Sequence, residues 1–333
     1  MRKATLKTGV YMEAVPLEFL QTVVFLCVDE ETESGLQRKP KATGFFVRVP
    51  IENMTDSLDY VVTARHCVDE ARQYGKIYIR MNCNTGRFTE IPTDVKDWLI
   101  HDSADVATIP LLPTVLPPGV QLEQISLKLA DFVGNSPDYM YVGETQFGKV
   151  EIQPRVGHQV YFMGLFTQHY GQERNLPIAR FGNISRMPGN VILVGADKTE
   201  SEVIAYLVEF HSIGGHSGSP VFFMYPIMVR DQRLLKLTED KSELNVCADV
   251  ILAWVSGFMG LVSGHYDIEQ EARKSGDILG EIQVKMNSGI AIVTPAEAVS
   301  QLLLREDLKE YRLKLGKIVE SKRAKPKLDS AKP

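Results

Sequence analysis

Three residues of the types that move protons and attack carbonyls stand in short, distinctive surroundings. His66 closes Val61-Val62-Thr63-Ala64-Arg65-His66-Cys67, an apolar strand pattern that runs straight into an imidazole. An imidazole at the end of a strand titrates near neutral pH, at about 6.5 when unperturbed, and suits proton transfer. Asp105 opens Asp105-Val106-Ala107-Thr108-Ile109. A carboxylate there can accept the imidazole N–H, fix its tautomer and stabilise the imidazolium that forms during acyl transfer. Turn chemistry is the other use of an aspartate before a strand, and Asp102 competes for the role. Ser217 lies in Gly214-Gly215-His216-Ser217-Gly218-Ser219-Pro220-Val221. Glycines beside a serine let backbone N–H groups turn toward a developing oxyanion with no Cβ in the way, and Gly215 and Ser217 are the expected donors.

Such residues need a scaffold that holds them together across the chain. Short β-branched and aromatic runs separated by turn residues recur at Thr22–Val28, Thr43–Val49, Tyr60–Ala64, Lys76–Met81, Val106–Leu112, Gln159–Leu165, Val191–Val194, Val203–Phe210, Val221–Met224, Val250–Val255 and Ile290–Val293. The spacing predicts an all-β sandwich or barrel in place of alternating βα units. Pro113, Pro117 and Pro118 fall in a stretch, 113–138, that divides two strand-rich halves, 18–112 and 139–294, after a short extension at 1–17. Thr294-Pro295-Ala296-Glu297 reads as a capping residue and a first-turn proline, with Ala298, Val299, Leu302 and Leu303 following at helical spacing. A helix and a basic tail are therefore expected over 295–333.

Composition sets the outer bounds. The 333 residues are 44% apolar and 24% charged, near globular averages, which excludes wholesale disorder and collagen-like repeats. Cysteines 27, 67, 83 and 247 form no Cys-x-x-Cys pair, so zinc-ribbon and thioredoxin-type sites have no support and no metal or cofactor is expected. Glu13 and Glu18 interrupt any apolar leader, and no run reaches the roughly 18 residues of a membrane span; a cytoplasmic protein without a membrane role is expected. The net charge is −5, yet residues 305–333 carry ten basic and five acidic side chains, so the body is the acidic part. An acidic body argues against nucleic-acid binding.

Taken in order, the three motifs resemble those of chymotrypsin-like serine peptidases. Thr63-Ala64-x-His66-Cys67 is similar to that family's histidine motif, Asp105-Val106-Ala107 to its aspartate strand and Gly215-x-Ser217-Gly218-x-Pro220 to its nucleophile loop. The resemblance covers about residues 18–294. It implies two six-stranded antiparallel β-barrels packed face to face with a triad in the cleft; the C-terminal helix and tail lie outside it. His66 would be the general base, Asp105 its orienting partner and Ser217 the nucleophile of a serine endopeptidase acting on polypeptides. It also implies that Gly260-Leu261-Val262-Ser263-Gly264 pairs with substrate, with Ser263 and Gly264 lining the pocket for the residue before the cut.

The departures from that pattern carry information too. His216 occupies the position where animal digestive members keep an aspartate for the zymogen-derived ammonium, and no Ile/Val-Val-Gly-Gly start is visible, so activation by that ion pair is not expected. Cys67 lacks its usual upstream partner and is expected as a free thiol. The Gly-Ser-Pro ending occurs in bacterial relatives such as glutamyl endopeptidases and suggests a microbial-type branch. His211 falls where trypsin-like members hold a pocket aspartate; with His265 it would favour an acidic side chain, unless both are incidental wall residues. The α/β-hydrolase elbow needs Gly-x-Ser-x-Gly, and position 219 is serine. The remaining alternative is a catalytically silent peptide-binding or scaffolding module, with the mostly polar segment 225–248 or the basic tail contacting a protein partner.

Overall fold

The structure, a computed structural model, describes residues 15, 17–112, 119–134, 139–145, 148–194, 200–210, 214–230, 250–272 and 282–324. Its first sheet comprises β1 (Val23–Thr32), β2 (Gly35–Pro50), β3 (Ser57–Thr63), β4 (Lys76–Asn82), β5 (Phe88–Asp94), β6 (Leu99–Ile100), β7 (Ala107–Leu111) and β8 (Leu127–Lys128). These strands run β5-β4-β1-β2-β3-β7-β6, and β8 pairs with β2. A separate hairpin joins β9 (Tyr141–Thr145) to β10 (Gly148–Ile152). The second sheet is a closed six-stranded barrel of β11 (Gln159–Gly164), β12 (Ile178–Val194), β13 (Glu200–Glu209), β14 (Pro220–Arg230), β15 (Val250–Ala272) and β16 (Ile282–Pro295). The fold is thus all-β with two curled sheets and C-terminal helices. In the first half six longer strands form the curled sheet, and two-residue strands are added to them.

The strand runs are apolar without alternation because both of their faces are buried. In β1, Phe25 and Cys27 face one cluster while Val24 and Leu26 face another; Phe45 and Phe46 of β2 and Tyr60 and Val61 of β3 divide in the same way. The inner cluster fills the first sheet. The outer one is shared with Tyr161, Met163, Phe222, Phe258 and Leu261 of the second barrel, whose own interior takes Val160, Phe162, Phe223 and Val262. Each fully buried large side chain stabilises by roughly 1.5–3 kcal/mol, so this shared layer binds the two halves firmly.

Helix α1 (Arg65–Ala71) follows β3 directly, and α2 (Ala296–Leu303) and α3 (Glu306–Ala324) end the described chain. Pro295 is the N-cap of α2 with no side-chain cap, and the Thr294 hydroxyl bonds Ser263 instead, so the expected threonine cap is not formed. Helix α3 is fixed to β3 by Arg312, a buried guanidinium that donates to the Leu303 carbonyl at 2.7 Å and to the Tyr60 hydroxyl at 3.2 Å. Residues 225–230 belong to β14, so the polar insertion begins later than expected. Its remainder, 231–248, lies outside the described residues, as do His211, Cys247 and the tail from 325. Among the described residues no helix is long and apolar enough to cross a membrane.

Candidate active site

The end of β3 delivers the polypeptide into α1, and His66 is the second residue of that helix instead of a loop residue. Asp105 lies two residues before β7, which pairs with β3, so the sheet register brings the carboxylate to the histidine. Asp105 Oδ2 lies 2.8 Å from His66 Nδ1, and its Oδ1 accepts the His66 backbone N–H at 2.9 Å. The second bond anchors the first turn of α1, which has no side-chain cap of its own. Asp102 is exposed, and Asp105 is the aspartate that meets the His66 ring.

Electrostatics follow from this pairing. Burial alone would raise the Asp105 carboxyl, but hydrogen bonds from the His66 ring and backbone, with the Ser263 hydroxyl nearby, hold it below the ordinary carboxylate value. Burial disfavours the His66 imidazolium. The Cys67 sulfur and the Asp105 carboxylate favour it more strongly, and the pKa lies well above the ordinary 6.5. His66 Nε2 faces Cys67 Sγ at 3.6 Å; among the described residues no hydrogen bond joins it to Ser217. Such bonds are often long in ligand-free sites and tighten when substrate binds. Cys67 is a free thiol, as are Cys27 and Cys83.

The nucleophile loop is held between the two sheets by backbone contacts, to β2 of the first and β15 of the second. Thr43 N–H donates to the Ser217 carbonyl at 3.0 Å, and Gly218 N–H donates to Val262 O at 2.8 Å. Gly218, at φ +80°, is so close to β2 and β3 that a Cβ there would lie 2.2 Å from Thr43 O and 2.3 Å from Thr63 Oγ1. Thr63 is three residues before His66, so this packing carries the half-buried Ser217 to the histidine end of β3. Gly215 adopts φ +96°. Its N–H and that of Ser217 have no backbone acceptor among the described residues.

The Ser263 hydroxyl lies 2.5 Å from that of Thr294 and faces Asp105, where it helps to hold the carboxylate in its charged form. Gly264 and His265 follow on β15, paired with Ile292 and Ala291 of β16. His216 is fully buried with its ring edge-on to Phe162, 4.8 Å between centroids. Burial, aided by Arg180 and His265, pushes its pKa down to about 3, so it is neutral at neutral pH. The unfolded chain binds a proton there near pH 6.5 and the folded chain does not, so stability falls as pH drops through that value. The loss between pH 7 and 5 is expected to be about 2 kcal/mol. Urea denaturation of wild type and His216→Gln at both pH values checks this: equal slopes with pH would refute it. Among the described residues no cluster of three or more His, Cys, Asp or Glu is placed to hold a metal ion.

No protein-family model matches this chain, and no curated protein does. Solved structures do. The MamO protease domain from Magnetospirillum magneticum, in its apo form, is 13% identical, with 84% of this chain and 95% of that chain covered and a TM-score of 0.40. The Rv3671c protease from M. tuberculosis, in its active form, is 14% identical over 90% of this chain and 93% of that one, with a TM-score of 0.39. Its inactive form is 15% identical over 85% and 88%, with a TM-score of 0.37.

Proposed function

We propose that the protein is a serine endopeptidase of the chymotrypsin-like fold that cleaves polypeptides through an acyl-enzyme on Ser217. The observation that carries this reading is the convergence of an Asp105-oriented imidazole with a serine loop packed onto the same strand end. His66 takes the serine proton at Nε2 as the hydroxyl attacks the carbonyl, then returns it to the leaving amine. The tetrahedral oxyanion is received by the N–H groups of Gly215 and Ser217, and water repeats the sequence on the ester. The Gly-Ser-Pro ending of the loop fits the microbial-type branch of that family, and the free thiols fit a reducing compartment.

One observation favours the second reading, a silent peptide-binding module: His66 Nε2 faces Cys67 and makes no bond to Ser217. A fluorophosphonate probe decides between them. Peptide mapping of the labelled, folded protein is expected to find the adduct on Ser217. An unlabelled Ser217 under conditions that label a control serine peptidase would leave only the silent module.

A further inference from the structure

The oxyanion turn must be held by something, and the contacts of Gly215 show what touches it. A Cβ on Gly215 would lie 2.8 Å from Thr167 Cγ2 and 3.1 Å from Leu165 Cδ2. Its carbonyl accepts the buried Thr43 hydroxyl at 2.7 Å, and the same hydroxyl oxygen accepts the Leu165 N–H at 2.9 Å. The turn therefore rests on the start of the segment that leads from β11 to β12.

That segment is in turn fastened to the opposite sheet. Arg80 of β4, only 4% exposed, donates through Nη2 to the carbonyls of Gly171 at 2.7 Å and Gln172 at 3.2 Å. Its guanidinium lies 3.8 Å over the Phe88 ring and 5.2 Å from that of Tyr170. Asn82, also on β4, clasps the backbone of Asn175 at both polar groups, accepting its N–H at 2.7 Å and donating to its carbonyl at 3.1 Å. Asn175 returns a bond to the Arg80 carbonyl at 2.7 Å, and Phe88 N–H donates to Glu173 O at 3.0 Å. A guanidinium this deeply buried is costly unless its N–H groups are bonded, and those bonds in turn fix the carbonyls that accept them. Loops of this length are ordinarily mobile; this one is clamped.

We infer that Arg80 and Asn82 are positioning residues for the serine site: they clamp the segment 165–176 on the first sheet, and the clamped segment holds Gly215 in its oxyanion-binding turn. This rests on the serine-peptidase reading for its catalytic consequence, though the mechanical coupling does not. Removing one oxyanion donor costs about 10²–10³-fold in such reactions, and a displaced donor costs part of that.

Arg80→Met keeps the length and the stacking surface but loses the carbonyl bonds; Asn82→Ala is the milder companion should the first variant not fold. Fluorophosphonate labelling of Ser217 is expected to slow by about tenfold or more, while alkylation of Cys67 by iodoacetamide, which reads the His66 side of the cleft, stays within twofold. Hydrogen exchange should rise in peptides covering 164–177 and also 214–220. Labelling unchanged in a folded variant, or labelling and alkylation falling in parallel, would overturn the inference. If wild type itself is not labelled, the peptidase reading falls alone. Exchange then still decides the clamp, which fails if 214–220 is unaffected while 164–177 loosens.

Discussion

Asparagine in place of Asp105 is expected to slow fluorophosphonate labelling of Ser217 by about 10⁴-fold, with the fold retained. The carboxylate makes two bonds to one residue, at His66 Nδ1 and at its backbone N–H. An amide oxygen can keep one of these, and its NH₂ then faces the ring and requires Nδ1 to act as acceptor. The ring proton moves to Nε2, and the base that Ser217 needs is gone. The pH profile gives a second readout. Activity requires neutral His66, whose pKa is raised, so the wild-type rate should climb with pH through a value well above 6.5. Loss of the Asp105 charge should move that limb to lower pH. Stability carries both signs: the raised His66 contributes most below pH 6.5 and loses its contribution as pH rises through its folded pKa. The lowered Asp105 contributes above its unfolded value of about 3.9, and that part is lost on acidification through its folded pKa. A labelling rate within tenfold of wild type, or an unmoved limb, would show that Asp105 does not orient the base.

What the sequence made legible was local, and what it hid was long-range. The apolar runs of β1, β2, β3, β11 and β14 are readable because both faces of those strands are buried. Phe88–Asp94 escapes the same reading because Pro92 interrupts it. As the end of its sheet, β5 tolerates a residue that cannot donate a ladder bond. Helix α1 is hidden by its seven residues, too few for a period, and by the absence of a cap. The motif residues His66, Asp105 and Ser217 stand in short contexts, so they can be singled out from their types and neighbours alone. The approach of Ser263 to Asp105 is not legible in the sequence, because the two are far apart along the chain and brought near only by the fold. Thr43 and Arg80 carry no motif; their importance lies in bonds to Gly215 and Gly171, 172 and 91 residues distant. A buried arginine in a β-strand is the one trace that reading could have followed, since such a side chain must find partners.

Gly218→Ala should be a strongly damaging single-methyl change. The residue sits at φ +80°, where an L side chain is strained by about 1 kcal/mol or more. The added carbon would also fall 2.2 Å from the Thr43 carbonyl oxygen, 2.3 Å from Thr63 Oγ1 and 3.1 Å from Ala64 N. None of these can swing aside cheaply. Thr43 O belongs to β2 and already accepts the Thr63 hydroxyl at 2.7 Å, and Ala64 leads directly into α1. The loop must therefore lift, and lifting breaks Thr43 N–H to Ser217 O and Gly218 N–H to Val262 O together. We expect a loss of about 3 kcal/mol or more in folding stability, measured by urea denaturation, and labelling of Ser217 reduced by at least 10²-fold in the fraction that remains folded. The two readouts separate the causes. Reduced stability with normal labelling of the folded fraction would mean that the loop relaxes without moving the serine, and the contact between Gly218 and β3 would then not be what aligns Ser217 with His66.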